Sequence, residues 1–305
     1  VSKSKKKVLP LILKKFINPI HLARVIRLQR NRKKVQRVYD DAQLKLYHQI
    51  LPGDYLHYGY FDDPTIHPLD ITINMIYKAQ DRYAEKLLEL VTDTRLPILD
   101  IGCGMGGLLG IMNKKGWTAI GLTPDKNQAY HIRNKYPNTL LECKFEELDG
   151  SQYRKHFGTV ITSESLQYLQ TDIALPLIDK ILIPGGKWVA CDYFRIGNHG
   201  EKSGHNWDAF AAALDKYGFK ITVEFDITPN ILPTIAYVHH WGANIFVPIK
   251  NFGLEKLKVK APGIYYAVEE AIPVLEEKIQ KNIDTVDPKI FAANKRYVLL
   301  VMERK

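Results

Sequence analysis

From about residue 80 onward the apolar positions change period repeatedly, short unbroken runs giving way to stretches with apolar residues three and four apart. The first kind reads as buried strand and the second as helix. Asp81–Val91 is predicted helical, with Leu87, Leu88 and Val91 on one side, and Pro97–Ile101 is a strand ending in glycines. A helix at Leu108–Lys115 and a strand at Thr118–Leu122 follow. Next come a helix at Asn127–Lys135, stopping before Pro137, and strands at Leu140–Lys144 and Thr159–Ser163. Asp172–Leu182 reads as a helix closed by a Pro184-Gly185-Gly186 turn, and Lys187–Phe194 as the fifth strand. Trp207–Tyr217 is a helix stopped by Gly218, and Phe219–Asp226 and Arg296–Met302 are strands six and seven. This order predicts an α/β fold: a Rossmann-like, seven-stranded, mostly parallel sheet with helices on both faces.

The last two strands are separated by about seventy residues where a hairpin needs only a few. Ile231–Trp241 and Ile264–Gln280 look helical there, so a helical insertion at about 230–292 is expected. It is either a lid or pocket wall, or a bundle that extends the core. The organisation expected is an arm at 1–37, a helical cap over the cofactor at 38–80, and the catalytic domain at 81–305.

Charge separates the arm from the body. Residues 1–37 hold 13 Lys and Arg and no Asp or Glu; with a whole-chain charge of +10, residues 38–305 sum to −3. Within the arm, Val8 to Leu28 carries many apolar residues, with Arg24, Arg27 and Arg30 at helical spacing beside them. That pattern fits a basic amphipathic helix on an anionic membrane surface, and a solvated arm packed on the domain is the alternative. Nucleic acid is not expected as a partner, because the body has no basic stripe interleaved with stacking aromatics. Cys103, Cys143 and Cys191 match no metal spacing and read as small apolar residues, Cys143 and Cys191 in strands, of a reducing, cytoplasmic compartment. Oligomeric state is not legible.

The chemistry centres on Ile98-Leu99-Asp100-Ile101-Gly102-Cys103-Gly104-Met105-Gly106-Gly107. Gly102, Gly104 and Gly106 after a buried strand allow a tight turn and close approach of a ligand to the backbone. A dinucleotide site would place its acid about twenty residues on; here Asp100 lies in the strand, placed to pair with a cationic ligand. His57, His239 and His240 suggest no metal, since adjacent helical residues do not face the same way.

These residues resemble motif I of class I S-adenosylmethionine-dependent methyltransferases. Gly121-Leu122-Thr123-Pro124-Asp125-Lys126-Asn127-Gln128 is similar to a segment of the cyclopropane-fatty-acid synthase group in which the Thr and Gln positions contact the cofactor. Phe145-Glu146 falls where that group has a Trp-Glu pair beside the adenine. Leu56 to Phe61, preceded by Tyr39-Asp40, resembles its upstream element that closes over the methionine end. Ser163-Glu164-Ser165-Leu166-Gln167-Tyr168 and Asp226 to Pro233 resemble stretches of geranyl diphosphate and sterol C-methyltransferases. The resemblance implies S-adenosylmethionine as cofactor, held by Tyr58, Asp100, Gly102, Gly104, Gly106, Thr123, Gln128, Phe145, Glu146 and Ser163, with Glu164, Tyr168 and Tyr58 catalytic and no metal.

The activity implied is methyl transfer to an alkene carbon of a small apolar substrate, an isoprenoid, terpenoid or lipid, through a carbocation. Aromatic faces would stabilise the cation, with Tyr58, Tyr60, Phe61, Tyr168, Tyr193, Phe194, Tyr237 and Trp241 as candidates. Phe194 and Tyr237 read more readily as core. Glu164 is the cation stabiliser or base, or else a cofactor-side or helix-capping acid. Gln167 and Tyr168 replace the Glu-His pair that holds bicarbonate in cyclopropane synthases, which argues against ring formation. The alternatives are an O- or N-methyltransferase of a small natural product and, from another class, a nucleic-acid-binding protein or RNA methyltransferase.

Overall fold

In the computed structural model, residues 18–31, 53–137, 139–197 and 203–305 are described. Most of the arm (1–17 and 32–37) and Tyr39-Asp40 lie outside them. The part of the arm within them, α1 (Pro19–Asn31), is helical as expected, with Ile20, Leu22 and Ile26 exposed.

Among the described residues, eight strands form one sheet. They are β1 (Ile98–Ile101), β2 (Ala119–Leu122), β3 (Thr139–Leu141), β4 (Phe157–Ser163), β5 (Leu182–Arg195), β6 (His205–Asn206), β7 (Phe219–Asp226) and β8 (Lys295–Arg304). The order is β3-β2-β1-β4-β5-β8-β7, with β6 beside the end of β5. Neighbours from β3 to β5 pair in parallel, and β8 runs antiparallel between β5 and β7. The seven expected strands are present; β6, two residues long, carries no readable pattern. Three details differ from expectation. Pro184–Gly186 lies inside β5, where the pairing with β4 shifts register, so the expected turn survives as a bulge. β3 stops at Leu141, leaving Cys143 outside a strand. The helix expected from Asp81 begins at Ile73, so a domain boundary at residue 80 would cut through it.

Two-residue alternation divides the core. Ile98, Ile161, Val189, Cys191, Tyr297, Leu299 and Val301 pack on one face of the sheet, and Leu99, Val160, Trp188, Ala190, Phe194, Val298 and Leu300 on the other. The first face is covered by α2 (Ile73–Leu88), which buries Ile76, Gln80, Tyr83, Ala84 and Leu87 along one stripe. Full burial of one such leucine is worth roughly 1.5–3 kcal/mol. The same face takes α3 (Gly107–Lys114), while α5 (Thr171–Ile181) and α6 (Trp207–Lys216) pack on the other. α4 (Lys126–Lys135) adds Ile132 to the first.

The segment 53–61 crosses the first face. Asp54 ties it to α4 through Lys135 Nζ at 2.6 Å, His131 Nε2 at 3.1 Å and the Tyr136 hydroxyl. From the other side it is gripped by α7 (Thr228–His240), the first helix of the insertion. The Thr234 hydroxyl accepts from Gly59 N (3.1 Å) and donates to Gly59 O (3.0 Å), and Asn230 Nδ2 donates to Phe61 O (2.8 Å). This helix also packs Ile231 and Ile235 into the cluster on the first face. The rest of the insertion comprises a π turn (Trp241–Phe246), α8 (Val247–Lys260), α9 (Pro262–Val268), α10 (Ile272–Thr285) and α11 (Pro288–Asn294).

Candidate active site

β1 delivers Asp100 to the carboxyl edge of the sheet and turns through Gly102, Gly104 and Gly106, whose φ values are +74°, +55° and +89°. Glycine is required twice over at 102, where a Cβ would lie 2.5 Å from Ser165 Cβ. The amides of Gly102 and Cys103 both donate to Leu122 O and that of Gly106 to Cys103 O, so these three close the turn itself. Asp100 is buried, and neither carboxylate oxygen has a hydrogen-bond partner among the described residues. Burial pushes its carboxyl up to about 7. An orphaned buried acid under a glycine turn fits a cationic ligand group, since an ionised carboxylate is costly here until a positive charge arrives.

At the end of β2, the Thr123 hydroxyl donates to Gln128 Oε1 at 2.6 Å, joining two expected cofactor contacts. Asp125 caps α4, accepting from Asn127 N and Gln128 N at 2.8 and 3.0 Å. Phe145 is buried after β3, and Glu146 accepts from Gln170 N at 3.1 Å.

Glu164 follows β4 directly, with φ +50°. A residue other than glycine in that region is strained, and it is held there by the bond from Glu164 N to Cys191 O at 2.8 Å. The half-buried carboxylate accepts from Tyr58 N at 2.8 Å and from the Tyr297 hydroxyl at 2.5 Å. Burial raises this acid to about 7, against the opposing pull of those two donors. The Tyr297 hydroxyl reaches that of Tyr83 at 3.3 Å, which meets Ser163 Oγ at 3.1 Å. Around the Tyr297 ring stand Tyr58 and Tyr83, each at 6.3 Å and nearly perpendicular, and Tyr193 at 6.4 Å. His57 stacks on Tyr83 at 4.0 Å, and burial pushes its pKa down to about 4, so it is neutral and donates from Nδ1 to Tyr58 O. Next to Glu164, buried Asp192 is raised to about 8, by burial first and then by the Glu164 charge.

The structure therefore brings Tyr58, Ser163 and Glu164 together, and joins Thr123 to Gln128. Tyr168 is 67% exposed and stands on the Tyr193 side of the cluster. The short 3-10 turn Leu166–Tyr168 buries Leu166, and its three-residue period swings Tyr168 outward. Gln167 instead accepts from the Tyr193 hydroxyl at 2.5 Å. Phe194 points to the opposite face of the sheet, against Trp207 and Phe210. Phe61 and Tyr237 belong to a small cluster with Ile71 and Ile76, and Trp241 is 45% exposed. His239 faces Asp287 at 3.7 Å and His240 pairs with Asn244, and no cluster of metal-ligating side chains occurs among the described residues. Sequence reasoning missed Tyr83 and Tyr297. The signal for Tyr297 was a tyrosine within an apolar strand, and for Tyr83 a tyrosine on the buried stripe of an amphipathic helix.

Residues 99–190 match the family described as a methyltransferase domain. A protein from Alkaliphilus oremlandii (strain OhILAs), described as an uncharacterized methyltransferase, is 24% identical over 135 residues, 43% of this chain. The match spans 61% of the length of that relative. Among solved structures, geranyl diphosphate C-methyltransferase from Streptomyces coelicolor A3(2) superposes with a TM-score of 0.60 at 16% identity, covering 87% of this chain and 94% of that one. Cyclopropane synthase MmaA2 from Mycobacterium tuberculosis gives 0.59 at 17% identity, with 88% and 97% covered. The [4+2]-cyclase SpnF gives 0.63 at 17% identity, with 87% and 93% covered, so the fold by itself does not fix a reaction. Residues 99–190 thus match a methyltransferase domain, and the fold is that of the solved S-adenosylmethionine-dependent methyltransferases.

Proposed function

We propose that the protein uses S-adenosylmethionine to methylate an alkene carbon of a small apolar acceptor, an isoprenoid, terpenoid or lipid. The supporting observation is the setting of Glu164: a carboxylate at the carboxyl edge of the sheet, held by two donors and faced by tyrosine rings. Asp100, Gly102, Gly104 and Gly106 would hold the cofactor's amino-acid end, with Tyr58, Thr123, Gln128, Phe145, Glu146 and Ser163 around the rest. When bound, the cofactor supplies an electrophilic methyl group. The chain's own part is to hold the acceptor beside Glu164 under the roof of α7, away from water. The faces of Tyr58, Tyr193 and Tyr297 stabilise positive charge on the acceptor carbon, and the Glu164 carboxylate then takes the proton, with a pKa of about 7 suited to that exchange near neutrality.

The same pKa would serve a base acting on a hydroxyl or amine, so the atom that receives the methyl separates the two readings. The test is mass spectrometry of lipid and terpenoid extracts incubated with the protein and a donor labelled in its methyl group. A carbon-bound label is expected, with turnover lowered about 10²–10⁴-fold by Glu164→Gln, the range for loss of a general base. Label on oxygen or nitrogen, or unchanged turnover in the variant, rejects the carbon reading.

A further inference from the structure

The helical insertion enters the core only at its two ends. α7 buries Ile231 and Ile235, and α11 buries Phe291. Between them the π turn, α8 and α9 have no buried residue, and α10 buries only Ile283. The residues of α8 and the turn before it sort into two sides. Val247, Lys250, Leu254 and Leu257, spaced three and four apart, are half-buried against neighbouring helices. On the other side Phe246, Ile249, Phe252 and Val259 are 53%, 63%, 63% and 77% exposed, with Lys256 and Lys260 among them. Single exposed apolar residues need no explanation, but a stripe of them along one helix does.

We infer that this outer face of α8 docks on the surface of an anionic lipid bilayer. Charge and composition point to that occupant. From Trp241 to Val268 there are four lysines and one glutamate, with Trp241, Phe246, Phe252, Tyr265 and Tyr266 supplying aromatic rings. Aromatic and aliphatic side chains edged by lysines are what a helix lying in the headgroup region presents. The Lys256 ammonium stands 5.3 Å from the centre of the Phe252 ring, so cationic and apolar groups share this face. A second copy packed through the same face would bring like charges together in a self-complementary contact, whereas anionic headgroups complement them. No described helix is long and apolar enough to cross a membrane. α8 continues α7 through the π turn, so the face adjoins the roof of the site. The inference stands on exposure and charge and does not depend on the identity of the methyl acceptor.

The test is co-sedimentation of the full chain with vesicles of phosphatidylcholine, with and without phosphatidylglycerol. Wild type is expected to bind the anionic vesicles. The triple variant Phe246→Ser, Ile249→Ser, Phe252→Ser should partition at least about tenfold more weakly, as expected on losing the inserted face. Lys256→Glu with Lys260→Glu should weaken binding only where phosphatidylglycerol is present. Both variants keep the basic arm, so partitioning equal to wild type overturns the proposal, as does a wild type that binds neither vesicle. A dimer seen by sedimentation velocity in wild type and lost in the triple variant overturns it too, since a second copy would then cover the face. Calorimetric binding of S-adenosylmethionine serves as the folding control. Its failure in all forms would reject the proposed function and leave the docking face standing.

Discussion

Replacing Tyr297 by Phe isolates one interaction at the site. The ring stays, and so does its contact with Tyr58 and Tyr83, but the hydroxyl 2.5 Å from Glu164 is removed. A hydrogen bond to an ionised group is worth about 1.5–3 kcal/mol, and one pKa unit corresponds to about 1.4 kcal/mol. The bond favours the carboxylate, so its loss moves the pKa upward from about 7, by about one to two units. At pH 7 the ionised fraction should then fall from about one half to somewhere between about 10% and 1%. Carbon-13 carboxyl NMR of glutamate-labelled protein reads this without a substrate, with Glu164→Gln identifying the resonance. In turnover, the acid limb of the pH profile should shift by the same amount, and the rate should recover as pH is raised. Simple structural damage would not be reversed by alkali. A Glu164 midpoint that stays put or falls in Tyr297→Phe refutes the assignment of the Tyr297 hydroxyl as a donor that holds this carboxyl below where burial alone would put it.

Two further outcomes follow from the glycine turn. Because burial raises Asp100 to about 7 from 3.8, the folded state favours its protonated form; stability is fully present below pH 4 and lost as pH climbs toward 7, by an amount on the order of 4 kcal/mol. Asp100→Asn should therefore gain stability over wild type at pH 8 but not at pH 4, by urea midpoints, while losing calorimetric binding of S-adenosylmethionine. Gly102→Ala places a Cβ 2.5 Å from Ser165 Cβ at a φ of +74°, and should lower unfolding free energy by at least about 2 kcal/mol in the same measurement.

The sheet was legible because its central strands β1, β4 and β8 are buried on both faces and read as continuous apolar runs between turns. Gly102, Gly104 and Gly106 declared themselves through their spacing, and Glu164 through its place just beyond a strand. Tyr297 did not, because it reaches Glu164 only after β8 inserts antiparallel beside β5, and that pairing leaves no mark in the local sequence. Tyr83 was hidden similarly, on a helix whose buried stripe mixes Gln80 and tyrosines with aliphatic residues, which also placed the helix start eight residues late. The exposure of Tyr168 was not legible, because the motif around it supplies identity but not direction and the ring follows a 3-10 turn.

The left-handed backbone at Glu164 means that the aim of its carboxylate is borrowed from its neighbours. Left to itself, the residue would relax into the right-handed or extended basin and swing its side chain out of the tyrosine ring cluster. What prevents this is a pair of clamps on either side: the Glu164 amide on Cys191, and the Ser165 hydroxyl on the Ile101 carbonyl at 2.5 Å. The orientation of the Glu164 carboxylate is thereby wired into two separate strands, β5 and β1, and loosening either one would redirect it while leaving the acid itself in place.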